Sequence, residues 1–147
     1  MTRINSAIEV KCLTDEHLLA EHREVKRLDA YFRRTFNKSE DFRVPTEFCL
    51  GKGHVMFFLN KFKFTYKRYL DLHKECLKRG FHVEDYTDNW CGIPEVFYQD
   101  YTPTLTEKRL LIERITRRII DSPKMYFHYK GDQINKTTAI KLLTKNL

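Results

Sequence analysis

The amino-acid sequence predicts an all-α fold, a compact single domain of three main helices with long connecting loops. Three observations predict it. Apolar residues recur at helical spacing in three long segments, and the ends of those segments carry the side chains that helix ends favour. The one apolar stretch that could be a strand, residues 48–59, lacks clean alternation and contains Gly51 and Gly53.

The first helix is expected over residues 15–36, with Thr14 as N-cap and Asp15 and Glu16 at the positive end of the helix dipole. At about 100° per residue from His17, the side chains of Leu18, Val25, Leu28, Phe32 and Phe36 fall in one arc, which is the core face. Arg23, Arg27 and Arg34 fall together on another arc. His17, Glu21 and Glu24 lie on the border between core and basic stripe. Such a helix is commonly an ordinary solvated one whose acids pair with neighbouring arginines. An arginine stripe free of interleaved acids equally suits a row of phosphates.

The second helix is expected over residues 61–79, with Lys78 and Arg79 in its last turn and Gly80 after it. A loop-like stretch follows, carrying Tyr86, Asp88, Trp90, Gly92, Pro94 and Pro103. The third helix is expected over residues 106–121. It is introduced by the capping-box pattern of Thr104 and Glu107 and ends before Pro123. Its apolar arc is Leu111, Ile112, Ile115 and Ile119, with Arg114, Arg117 and Arg118 on an adjoining face. Aromatics and bases then interleave from Pro123 to Lys130. Those rings suit stacking on exposed nucleobases, or packing onto the core.

Composition narrows the function classes. The 147 residues carry 27 Lys+Arg against 20 Asp+Glu, a formal charge of +7, so a polyanion is the natural partner. The longest apolar run covers only residues 55–59, too short to span a bilayer. The first residues show no apolar signal-peptide core, so a cytoplasmic protein with no membrane partner is expected. Cys12, Cys49, Cys76 and Cys91 stand far apart, and the histidines form no ligand pattern, so buried free thiols and no metal site are expected.

Several motifs carry a resemblance. They are Met1-Thr2-Arg3-Ile4-Asn5, the run from His17 to Glu24 with Arg27, and Phe48-x-Leu50-Gly51-x-Gly53-His54-Val55-x-Phe57-Phe58. Glu75-Cys76-Leu77-Lys78-Arg79-Gly80-Phe81, Ile93-Pro94, Asp100-Tyr101-x-Pro103 and Pro123-x-x-Tyr126 continue it. In order and spacing the chain resembles the phage-type pyrimidine-dimer DNA glycosylases, the T-even endonuclease V family, over residues 1–131. Residues 132–147 look like a C-terminal extension, a short helix packed on the domain or trailing it.

The resemblance implies a helical monomer that needs no cofactor or metal. It implies base excision at ultraviolet photodimers in double-stranded DNA, then strand nicking by β-elimination. The nucleophile would be the α-amine of Thr2 once Met1 is removed, and Glu24 the essential carboxylate. An α-amine has a pKa of about 7.7–8.0 against about 10.4 for lysine, so near pH 7.5 roughly a quarter to two-fifths is neutral. Arg3, Arg23 and Arg27 would grip phosphates, Arg114 and Arg118 would add cations from the last helix, and His17 would contact phosphate or sugar. The family is expected to kink the duplex and flip out the nucleotide opposite the lesion.

Two positions depart from the family pattern. Met125 stands where the family's C-terminal aromatic cluster begins with tryptophan, just before Tyr126. Tyr69 replaces a glutamine expected near the DNA. Both are expected to tune lesion recognition. Two alternatives stay open: the same chemistry on a different damaged or modified base, and a DNA-binding module on the same scaffold without catalysis.

Overall fold

A computed structural model of the chain describes residues 3–38 and 43–145. Within these residues the structure is mostly helical, with one small sheet. The helices are α1 (Asp15–Val25), α2 (Arg27–Lys38), α3 (Gly53–Phe57), α4 (Phe62–Lys78), α5 (Leu105–Asp121) and α6 (Lys136–Thr144). Strands β1 (Tyr126–Tyr129) and β2 (Asp132–Asn135) form an antiparallel hairpin.

The three long helices form where their end chemistry places them. Thr14 caps α1 by accepting the His17 N–H at 3.3 Å. Thr104 and Glu107 cap α5 reciprocally, the Thr104 N–H reaching the Glu107 carboxylate at 2.9 Å and the Glu107 N–H reaching the Thr104 hydroxyl at 3.2 Å. α4 ends at Gly80, whose φ of +88° closes the last turn.

Two features differ from expectation. The first helix is two, α1 and α2, meeting at Lys26, which keeps a right-handed helical conformation. Neither glycine nor proline marks that junction. Leu18, Val25, Leu28 and Phe32 are nevertheless all buried, so both helices present the same core face.

The fold is also not strictly all-α. Lys130 and Gly131 take φ of +52° and +85°, the two left-handed positions of a tight hairpin turn, and Tyr129 pairs with Asp132 across it. Residues 132–145 are packed, not trailing. β2 completes the hairpin, and Ala139 and Leu143 of α6 join the core. The turn is held by Asp15 at the head of α1, whose carboxylate accepts the Lys130 and Gly131 N–H groups at 2.9 Å each and the Arg79 guanidinium at 2.9 Å. Lys136 donates to the carbonyls of Ile120 and Ser122 at 3.0 and 2.7 Å, satisfying the open end of α5.

The core is continuous. Ile4 and Ile8 from the amino-terminal arm, Leu18 and Val25 from α1, Phe62 and Leu72 from α4 and Leu111, Ile115 and Ile119 from α5 are all buried in it. The arm is therefore held between α1, α4 and α5 by its apolar side chains.

Candidate active site

The site begins with a buried polar chain that fixes the arm. Arg68 of α4 sits on the core side of its helix. Its Nε and Nη2 donate to the two oxygens of Glu21 at 2.7 and 2.9 Å, a two-pronged pair with almost no exposure. Glu21 also accepts the Asn5 side-chain amide at 3.0 Å, and Asn5 accepts Arg114 Nη2 at 3.1 Å. Four side chains from α4, α1, the arm and α5 thus form one connected network. An unpaired member at this depth would cost several kcal/mol.

One turn beyond Glu21, Glu24 leaves the core. Its Oε2 accepts the Arg3 backbone N–H at 3.2 Å. This bond fixes the arm's first described residue against the carboxylate. Glu24 lines a cleft of about 240 Å³, whose other walls include Arg3, His17, Glu21, Arg114, Arg118 and Phe127.

Cations outnumber anions at the mouth of this cleft, and the charges leave their mark on one another. Burial, then the nearby guanidinium groups of Arg118 and Arg3, push Arg114 down to about 10. Arg118 is lowered too, by burial and Arg3, with Glu24 opposing. The Nε atoms of Arg3 and Arg114 are buried and meet no hydrogen-bond acceptor among the described residues. Two strong donors are left without a protein acceptor.

His17 forms one wall. Its Nδ1 lies 2.7 Å from the Thr14 hydroxyl and its ring stacks on Phe127 at 5.8 Å between centroids. Burial lowers its pKa, as do Arg118 and Arg3, while Glu16 opposes them, so the ring favours the neutral form. Phe127 answers part of the question posed by the aromatic segment, since this ring packs inward. Met125 and Tyr126, 72% and 51% exposed, stand instead at the surface beside the cleft residues Lys124 and Phe127.

The remaining expected residues divide. Arg23 and Arg27 are exposed on α1 and at the start of α2, outside the cleft lining. Thr2 lies outside the described residues. Tyr69 does not reach the protein surface. Its side chain is fully buried, its ring stacks on Trp90 at 4.8 Å, and its hydroxyl accepts the Tyr86 N–H and donates to Asp85. A tyrosine at this point of α4 is a packing residue because its neighbours Leu72 and Thr65 face the core as well.

Sequence reasoning gave no individual site role to Asn5 or Lys124, which it met only within longer motifs, and none to Arg68. Arg68 carried a usable signal of its own, a cation among the core-facing positions of α4. Among the described residues no group of three or more His, Cys, Asp or Glu could hold a metal ion, and no helix is long and apolar enough to cross a membrane.

A family profile described as pyrimidine dimer DNA glycosylase matches residues 1–89, which include the arm, α1, α2, α3 and α4. With more than half of its length matched, and the arm, Glu24 and the network residues Asn5, Glu21 and Arg68 within the match, this chain belongs to the pyrimidine dimer DNA glycosylase family.

Proposed function

We propose that this chain is a bifunctional DNA glycosylase and AP lyase that acts at ultraviolet-induced pyrimidine dimers in duplex DNA. The observation that carries this reading is the 3.2 Å bond from the Arg3 N–H to Glu24 at the mouth of an arginine-lined cleft. The α-amine of residue 2 is three covalent bonds from that nitrogen. A carboxylate is therefore anchored next to the point where the amine joins the chain.

The chemistry follows from those two groups. The neutral amine of Thr2, exposed by removal of Met1, attacks the sugar C1′, and the base departs with the electrons of its glycosidic bond. Loss of a proton from nitrogen and opening of the C1′–O4′ bond leave an imine. The imine acidifies the C2′ proton; its removal expels the 3′ phosphate by β-elimination. Glu24 stabilises positive charge on the sugar during attack and then carries protons through ring opening and elimination.

Arg3, Arg114 and Arg118 converge on phosphates around the lesion, and the unmatched Nε donors of Arg3 and Arg114 suit phosphate oxygens. Arg23 and Arg27 extend the grip along the outer face of α1 and α2. Met125 and Tyr126, exposed next to cleft residues in the chain, would offer apolar surface to the opened step of a bent duplex. A non-catalytic binding module has no use for a carboxylate among its phosphate-binding arginines, so the enzyme reading is favoured over that alternative.

The deciding experiment is borohydride trapping on a duplex with one cyclobutane pyrimidine dimer. A covalent adduct from the processed protein, abolished when the amine of Thr2 is blocked, is expected. No adduct with either dimer or abasic DNA defeats the reading, and an adduct with abasic DNA alone moves the specificity to another base.

A further inference from the structure

The motif Gly51-x-Gly53-His54 has no part in the reaction just derived, although it is built with care. His54 is buried on α3, 50 positions along the chain from the arm, and its imidazole bridges two backbone groups. Nε2 lies 3.0 Å from the Ile4 nitrogen and Nδ1 lies 3.1 Å from the Cys49 carbonyl oxygen. A carbonyl only accepts, so Nδ1 carries the proton. Nε2 is then a lone-pair acceptor for the Ile4 N–H.

The loop serves this arrangement. Gly51 takes a φ of +81°, where other residues are strained, and a Cβ on Gly53 would stand 2.4 Å from Cys49 Sγ. Only glycine lets the chain turn so tightly that the Cys49 carbonyl returns to its own histidine. The rings of Phe48 and Phe58 meet the imidazole edge-on at 5.6 and 5.3 Å, fixing its plane.

We propose that His54 is a positioning residue, the acceptor that sets the register of the amino-terminal arm so that the amine of residue 2 meets Glu24. The inference rests on the imine reading above. Successive residues of the arm are tied in turn to α1, to α3, and to α1 and α5 together. Arg3 is held by Glu24 of α1, Ile4 by His54 of α3, and Asn5 by Glu21 of α1 and Arg114 of α5. The His54 tie is the one nearest residue 2 that does not use the reacting carboxylate. It holds the arm in place when Glu24 turns to the sugar. Burial, with Arg114 beside it and Glu21 opposing, lowers the pKa of His54 to about 4, which keeps the acceptor available at neutral pH.

The test is borohydride trapping on an abasic duplex, which isolates imine formation from base release. His54→Gln, whose Oε1 can stand where Nε2 does, is expected to trap within about threefold of the unmutated rate. His54→Asn keeps a donor for Cys49 but cannot reach Ile4, and is expected to trap at least about tenfold more slowly at saturating DNA with an unchanged Kd. Equal rates for the two variants overturn the proposal.

Nitrogen NMR of the unmutated protein gives a measurement that no folding defect can obscure. Nδ1 protonated, Nε2 bare and an Ile4 amide protected from exchange are expected. A proton on Nε2, or an unprotected Ile4 amide, overturns the proposal whatever the variants do. No adduct from the unmutated protein defeats the imine reading itself, whereas a normal adduct with indifferent variants defeats only the part given to His54.

Discussion

Two carboxylates one turn apart on α1 have opposite surroundings, and their substitutions separate stability from chemistry. Glu21 is buried and bound by both prongs of Arg68, while Glu24 meets the arm at an open cleft. Glu21→Gln leaves the guanidinium of Arg68 buried without its counter-charge, and a loss of about 3–5 kcal/mol is expected in a denaturant melt. Glu24→Gln should melt within about 1 kcal/mol of the unmutated protein, because surface polar changes are mild. Its nicking of dimer-containing DNA should fall by about 10²-fold or more while binding persists. If Glu24→Gln nicks at the normal rate, the role given to Glu24 is wrong. If Glu21→Gln melts normally, the buried network does not hold the arm.

At the scale of elements, the hairpin and α6 do more than extend the chain. The β1–β2 turn is clamped by Asp15, and His128 pairs with Glu16, so the hairpin is fastened to the first turn of α1, next to His17. α6 in turn packs against α5, which carries Arg114 and Arg118. Leu143→Ala removes a buried side chain from that contact and should cost about 2–4 kcal/mol in a thermal or denaturant melt. Adduct formation below the melting transition should survive, since Leu143 is not part of the cleft lining. A neutral melt would show that α6 contributes nothing to the fold. The long helices were legible in the sequence because caps are local: Thr14, the Thr104–Glu107 box and Gly80 act within four residues of the ends they fix. The break at Lys26 has no such signal. The hairpin rests on a Lys-Gly turn, a weak cue compared with Asn-Gly, and on docking to Asp15, 115 positions away from Lys130. The site shows the same division. Glu24, His17 and the arginines could be placed by helix phase and resemblance. The link from Asn5 to Arg114 spans 109 positions and no spacing rule contains it. Tyr69 shows the limit of position alone, because a ring that fills the core cannot stand in for an exposed amide.

At the scale of the molecule, a formal charge of +7 says only that polyanions are attracted, whereas the structure says how many charges can act together. Arg3, Arg114 and Arg118 line one cleft, and Arg23 and Arg27 stand exposed on the adjoining helices. Part of the remaining positive charge is already engaged within the protein. Arg68 and Arg79 are locked in buried pairs, Lys67 pairs with Asp100, and Lys136 caps α5. If each of these five arginines neutralises one phosphate, the logarithm of duplex affinity should fall against the logarithm of salt with a slope of about −4.5. That slope corresponds to roughly a 500-fold loss between about 50 and 200 mM salt. Arg118→Ala should flatten it by about one unit and weaken dimer-containing and undamaged duplexes alike. Arg68→Ala, whose charge is spent inside the fold, should leave the slope of the folded fraction where it was. Fluorescence anisotropy across a salt series reads all three. A slope near zero would mean that the cleft arginines do not face the DNA backbone, and an equal flattening by Arg68→Ala would mean that only net charge matters. The expected pattern instead ties affinity to the arginines around Glu24, the same groups that would seat a sugar against the arm.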